Sequence, residues 1–146
     1  KKWINFRHRL VPYLYHTACQ THQSGIPMIR PLVMEYPKDP IAKIQNLSYM
    51  LGDALLISPG FDRDEYELYL PEGRWQDIES KEVYEGMTFV HIENKAFADG
   101  GTSLRVFQKE GTSIPLFTQK EVLHVPAQLW KQEDLEFMTF QKKDVD

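Results

Sequence analysis

One cysteine, Cys19, stands alone in the 146 residues, so no internal disulfide can staple the chain. A lone thiol among apolar neighbours in a predicted helix reads as a small core residue. A nucleophile would need a positioned histidine, and His16 and His22, three residues to either side, have no evident orienting partner. Apolar stretches are short, well under the roughly 20 residues that a membrane helix requires, so no membrane span is expected. No secretory leader pattern is present, and the chain opens Lys1-Lys2-Trp3, which reads as a fragment or processed product. The unpaired thiol fits a cytoplasmic location. The five histidines, His8, His16, His22, His91 and His124, lack metal-ligand spacing, and no glycine-rich phosphate loop occurs, so neither metal nor cofactor is expected.

Excess positive charge is also missing. The net charge is −4, and it is unevenly spread: residues 1–55 hold seven Lys/Arg against three Asp/Glu, and residues 56–146 hold ten against eighteen. The larger part is acidic, which argues against a nucleic-acid partner. The change of sign near residue 55 marks a candidate domain boundary.

Texture changes at the same place. Trp3, Phe6, Leu10, Tyr13, Leu14 and Thr17 follow helical spacing, with Pro12 as a break and Gly25 as a stop. The near-continuous apolar run from Ile26 to Tyr36 reads as a short strand of parallel-sheet type, irregular at its ends because of Pro27 and Pro31. Asp39-Pro40 would open a second helix, with Ile41, Ile44, Leu47, Ser48 and Leu51 as its apolar stripe and Gly52 as its end. From residue 54, short runs recur between turn signals: Ala54–Ser58, Glu65–Leu70, Trp75–Ile78, Met87–Ile92, Leu104–Gln108, Ser113–Phe117, Val122–Val125 and Leu135–Phe140. Gly86, Gly100-Gly101 and Gly111 punctuate them. Roughly eight short strands at this spacing predict an antiparallel β-sandwich. The expected fold is mainly β, preceded by a helix-strand-helix remnant of a (β/α)8 barrel, with residues 1–53 as that incomplete unit and 54–146 as the sandwich.

Three stretches resemble glycoside hydrolase family 31, the α-glucosidase and α-xylosidase type. The first is Arg9-Leu10-Val11-Pro12-Tyr13-Leu14-Tyr15, similar to an Arg-x-x-Leu-x-Pro-Tyr-Leu-Tyr helix, with Arg7 or Arg9 as the equivalent arginine. The second is Gly25-Ile26-Pro27-Met28-Ile29-Arg30-Pro31-Leu32 with Glu35-Tyr36-Pro37 and Asp39, continuing through Tyr49-Met50-Leu51-Gly52-Asp53-Ala54-Leu55-Leu56-Ile57-Ser58-Pro59. The third is Tyr69-Leu70-Pro71-Glu72-Gly73-Arg74-Trp75-Gln76-Asp77 with Tyr84-Glu85-Gly86, then Val106 to Leu116 containing Lys109-Glu110-Gly111 and Ile114-Pro115. In order and spacing they cover roughly residues 5–117.

The resemblance implies the closing piece of a TIM-type barrel and the sandwich that follows it, within a retaining enzyme acting on α-linked oligosaccharides. Retaining glycosidases need two carboxyls about 5–5.5 Å apart. The family's catalytic aspartates lie on earlier barrel strands, in a Trp-x-Asp-Met-Asn-Glu type run and a later Gly-Asp segment, and the matched region begins downstream of both. No catalytic residue is therefore expected here, and the isolated chain is expected to be inactive. Asp39 reads as a helix cap and Asp53 as a turn or helix-end residue at the barrel–sandwich junction. Arg30 and Glu35 would fall on opposite strand faces, with Glu35 a rim candidate for substrate because it ends the strand. Trp75, Tyr66, Tyr69 and Tyr84 read as packing residues, and Trp130 is unassigned. The alternative functions are a non-catalytic carbohydrate-binding sandwich, which would need a row of exposed aromatics, and an assembly module whose uncovered strand at 26–36 makes the isolated fragment oligomeric.

Overall fold

A computed structural model describes residues 2–60, 63–93, 104–118 and 127–144. The expected strand Val122–Val125, His124 and the Gly100-Gly101 turn lie outside the described residues. The chain divides into two compact units, Lys1–Met28 with Ser113–Thr139 and Ile29–Thr112 with Phe140–Asp146.

In the first unit, helices α1 (Lys2–Arg9) and α2 (Val11–Ser24) meet at Leu10. Pro12 sits in the first turn of α2, where its missing N–H costs nothing, so it starts a helix rather than kinking one. Gly25 closes α2 with φ 75°, its N–H donating to the Thr21 carbonyl at 2.8 Å. Leu10, Tyr13 and Thr17 are buried, as the helical spacing requires. Cys19 is exposed, against its reading as a core residue. It lies about 200° around the helix from Thr17, on the outer face. The strands of this unit belong to a two-stranded ribbon, β9 (Thr112–Phe117) with β10 (Leu135–Phe140). Arg9 donates from Nε to the Phe117 carbonyl at 2.9 Å and forms an ion pair with Glu136, so one side chain ties α1 to both strands.

The second unit is the sandwich. Its larger sheet runs β1 (Ile29–Pro31), β2 (Tyr49–Leu51), β3 (Leu55–Ser58), β8 (Arg105–Lys109), β5 (Arg74–Asp77), β6 (Val83–Glu85), and each pair is antiparallel. Its smaller sheet pairs β4 (Glu65–Leu70) with β7 (Thr88–Glu93). Met50, Leu56, Trp75 and Phe107 from the first sheet share one buried cluster with Tyr66, Leu68, Leu70 and Ile92 from the second. The mainly β, antiparallel expectation holds.

Two local expectations do not hold. The apolar run at 26–36 holds a short strand, as expected, but not a parallel one: β1 has three residues, pairs antiparallel with β2, and gives way to a single helical turn, α3 (Leu32–Glu35). Pro31 ends the ladder because it has no N–H and its φ of −61° already suits a helix start. The second helix does not form either. Asp39 does cap a turn, accepting from the amides of Ile41 at 2.9 Å and Ala42 at 3.2 Å. The turn then stops, Ile44 is 78% exposed, and Tyr49–Leu51 is extended as β2 between β1 and β3. A marginal helix of this length loses to a strand bonded on both sides.

The chain crosses between the two sheets at one corner. Pro71–Gly73 leads from β4 into β5, and Gly86-Met87 leads from β6 into β7. The Gly86 N–H donates to the Gly73 carbonyl at 2.6 Å, and the Met87 N–H to the Leu70 carbonyl at 2.8 Å. Trp75, fully buried, donates its indole N–H to the Pro71 carbonyl at 2.9 Å. Gly73 has φ 110°, open to glycine alone without strain. A Cβ on Gly86 would lie 2.0 Å from the Pro71 oxygen and 2.4 Å from the Gly73 oxygen, both of them backbone. At the far end of β5, Asp77 is buried and accepts from the amides of Glu79 and Ser80, closing the turn into β6. Gly86→Ala is therefore expected to cost more than about 3 kcal/mol, because neither backbone segment can retreat. Trp75→Phe should cost about 1–2 kcal/mol by removing the indole bond and leaving the buried Pro71 oxygen only the long 3.4 Å contact from the Met87 N–H. Urea midpoints on the purified chain measure both, and a Gly86→Ala midpoint equal to that of the parent sequence would refute the clash.

Candidate functional site

A concavity among the described residues lies beside this corner, with a volume of about 410 Å³. Its wall is Glu35 at the end of α3, the turn Tyr36–Pro40, and Glu72 and Met87 from the two crossovers. The rim candidate Glu35 is therefore in a pocket wall.

What Glu35 does there is structural. Because α3 folds back over β1, the residues expected on opposite strand faces meet: Arg30 Nη1 donates to Glu35 Oε1 at 2.9 Å. The Arg30 side chain is only 7% exposed and that of Glu35 24%. A buried guanidinium left without its carboxylate would be strongly destabilising. Asp39 is equally engaged: Oδ1 takes the two amides of its turn, and Oδ2 accepts from the Tyr69 hydroxyl at 2.7 Å. Partial burial works against its charge, but the Tyr69 hydroxyl and the Ala42 and Ile41 amides outweigh it and hold the carboxyl below the usual aspartate range. Burial, then the bond to Asp39 and its charge, push the Tyr69 hydroxyl up to about 12. Burial raises Tyr36 as well, helped by the charges of Glu35 and Glu72, while the Lys109 ammonium lies 5.2 Å from its ring centroid. A general acid needs a carboxyl displaced upward, and Asp39 is displaced downward. Neither tyrosine is poised to ionise.

The other candidates are dispersed. Asp53 is exposed in the tight turn between β2 and β3. Trp75 and Tyr66 are core, with the Tyr66 hydroxyl bonded to Ser58 at 2.8 Å, and Tyr84 packs on Phe107 edge-to-face. Trp130 meets Tyr15 and Phe117 at interplanar angles of 72° and 90°. Edge-on rings cannot offer a coplanar sugar platform. Among the described residues no group of three His, Cys, Asp or Glu side chains could hold a metal ion. Sequence reasoning passed over the turn fastening between Asp39 and Tyr69, which are 30 residues apart; no periodicity signals such a pair.

The sequence profile of the "Glycosyl hydrolase family 31 C-terminal domain" matches residues 25–121. Human neutral α-glucosidase AB is 35% identical over 113 residues, covering 75% of this chain and 11% of that protein. α-Glucosidase 2 of Bacillus thermoamyloliquefaciens is 33% identical over 128 residues, covering 86% and 16%. Among solved structures, the cycloalternan-forming enzyme of Listeria monocytogenes, in complex with a pentasaccharide substrate, superposes with a TM-score of 0.79 at 34% identity, over 96% of this chain and 13% of that one. The chain thus spans roughly a tenth to a sixth of the length of these relatives. With a domain profile that covers Gly25 through the sheet-switching corner and β9, and with relatives of one kind at this identity, the chain belongs to glycosyl hydrolase family 31 and corresponds to its C-terminal domain region.

Proposed function

We propose that this chain is the C-terminal scaffold of a retaining α-glycoside hydrolase that acts on α-linked gluco-oligosaccharides in the cytoplasm, and that it carries none of the catalytic carboxylates. The observation that carries the reading is the use to which the chain's best acidic candidates are put. Glu35 neutralises a buried arginine, and Asp39 fastens a turn to β4. The α-glucosidase and cycloalternan-enzyme relatives support the substrate class. In this reading residues 1–53 complete a barrel supplied by the rest of the parent while their strands β1 and β2 extend the larger sheet of the sandwich that residues 54–146 form, and Glu35 belongs to the rim only by position. No helix among the described residues is long and apolar enough to cross a membrane.

The isolated chain is expected to associate. β1 is the terminal strand of the larger sheet among the described residues, and Ile29 (60% exposed) and Met34 (46%) lie at that end. Neighbouring barrel strands would cover them in the parent, and a second copy would in their absence.

Three outcomes follow. The purified chain should not turn over p-nitrophenyl α-glucoside, and measurable turnover would sink the proposal. Light scattering should report a dimer or larger species; a strictly monomeric mass with β1 ordered contradicts the association. Tyr69→Phe should destabilise the chain by about 1–2 kcal/mol near neutral pH, since it removes one hydrogen bond to a charged acceptor. Asp39 titrates low when folded, so its stabilisation is present above its unfolded pKa and lost as pH falls through the folded one. Without the Tyr69 hydroxyl the folded value rises, so the acid limb of the unfolding curve should move to higher pH.

A further inference from the structure

On the face of the β4–β7 ribbon turned away from the core, the antiparallel register sets Glu65 opposite Glu93 and Glu67 opposite His91. Three carboxylates and one imidazole thus share a small exposed surface. His91 Nδ1 lies 2.7 Å from Glu67 Oε1, and Nε2 lies 3.5 Å from Glu65 Oε2. A neutral imidazole has one N–H and one lone pair, so it can satisfy only one of these carboxylates and must turn its lone pair toward the other. Only the imidazolium can face both. Like charges directly opposite on a ladder are unfavourable, and a protonated His91 sets a positive charge between Glu65 and Glu67.

We propose that His91, gripped by Glu67 and Glu65, is a proton-operated latch on the outer face of the β4–β7 ribbon, closed while both ring nitrogens carry protons and released when one is lost. Among the described residues, the charged groups facing the imidazole are Glu65 and Glu67 from β4 and Glu93 from its own strand. Arg105 of β8 reaches the same end of the ribbon through the Glu93 carbonyl at 3.3 Å and pairs with Asp77. The bond to Glu67 outweighs the small desolvation of the ring and, with the charges of Glu67, Glu65 and Glu93, raises the His91 pKa. A raised pKa contributes stability that is complete below the unfolded value and is lost as pH climbs through the folded one. The latch therefore loosens as pH climbs past the ordinary histidine range, whereas the Asp39 fastening loosens as pH falls.

Ring-nitrogen NMR of the full 146-residue chain, followed from mildly acidic to mildly alkaline pH, tests this directly. His91 should keep both ring protons to a higher pH than histidine in an unstructured peptide, and Glu67→Gln should move its midpoint down. Amide signals of Glu65, Glu67 and Glu93 should shift with the same midpoint and lose protection from exchange across it. That step should vanish in His91→Gln, whose exposed position leaves the core untouched. An ordinary midpoint, a midpoint indifferent to Glu67→Gln, or an amide step that survives His91→Gln would each overturn the latch.

Discussion

The sandwich depends on the hydrogen bond between the Trp75 indole and the Pro71 carbonyl and on the glycine contact beside it. Two sheets pack stably only if the chain can pass between them without leaving buried polar backbone unpaired. Two of its passages, β4 to β5 and β6 to β7, meet at the same place. The bonds from Gly86 to Gly73 and from Met87 to Leu70 tie one crossover to the other, and the buried indole closes the gap that remains. Arg74, the next residue, is clasped through its amide by Glu110 Oε1 at 3.2 Å, which brings the β8–β9 turn to the same corner. The motif that runs from Tyr69 to Asp77, with Gly86 at its partner position, is a recipe for this corner.

Once the corner is seen as the organising contact, the acidic residues around it take their places. Glu35, Asp39, Asp77 and Glu110 each satisfy a particular buried or turn-forming donor. Each of these carboxylates is thus engaged by partners on the same chain. Glycosidase chemistry asks for a carboxyl free to gain and lose a proton, or to attack a sugar carbon. The arrangement here satisfies a structural demand.

Much of this was legible in the residues. Alternation at Glu65–Leu70 and Leu135–Phe140 gave strands with the observed bounds, and Pro12 and Gly25 marked helix ends correctly, because each signal is local. The failures are equally physical. Ile41 to Leu51 carried a good cap and a helical stripe, yet pairing of Tyr49–Leu51 with β1 and β3 outcompeted it, and pairing across a sheet leaves no mark in a single segment. Arg30 and Glu35 met because α3 interrupts the strand, which the apolar run concealed. Strand β6 escaped notice because Val83–Glu85 has no alternation long enough to detect. The cap at Asp39 was legible as a local signal, whereas its partner Tyr69 required the fold.

Native-state amide exchange on the purified chain tests most directly whether the corner joins both sheets into one cooperative unit. The amides of Gly86 and Met87 and the Trp75 indole N–H should exchange with the same opening free energy as Leu56 and Phe107 in the centre of the larger sheet, the value for global unfolding. Exchange at the corner through a low-energy local opening, while β3 and β8 stay protected, would contradict the account.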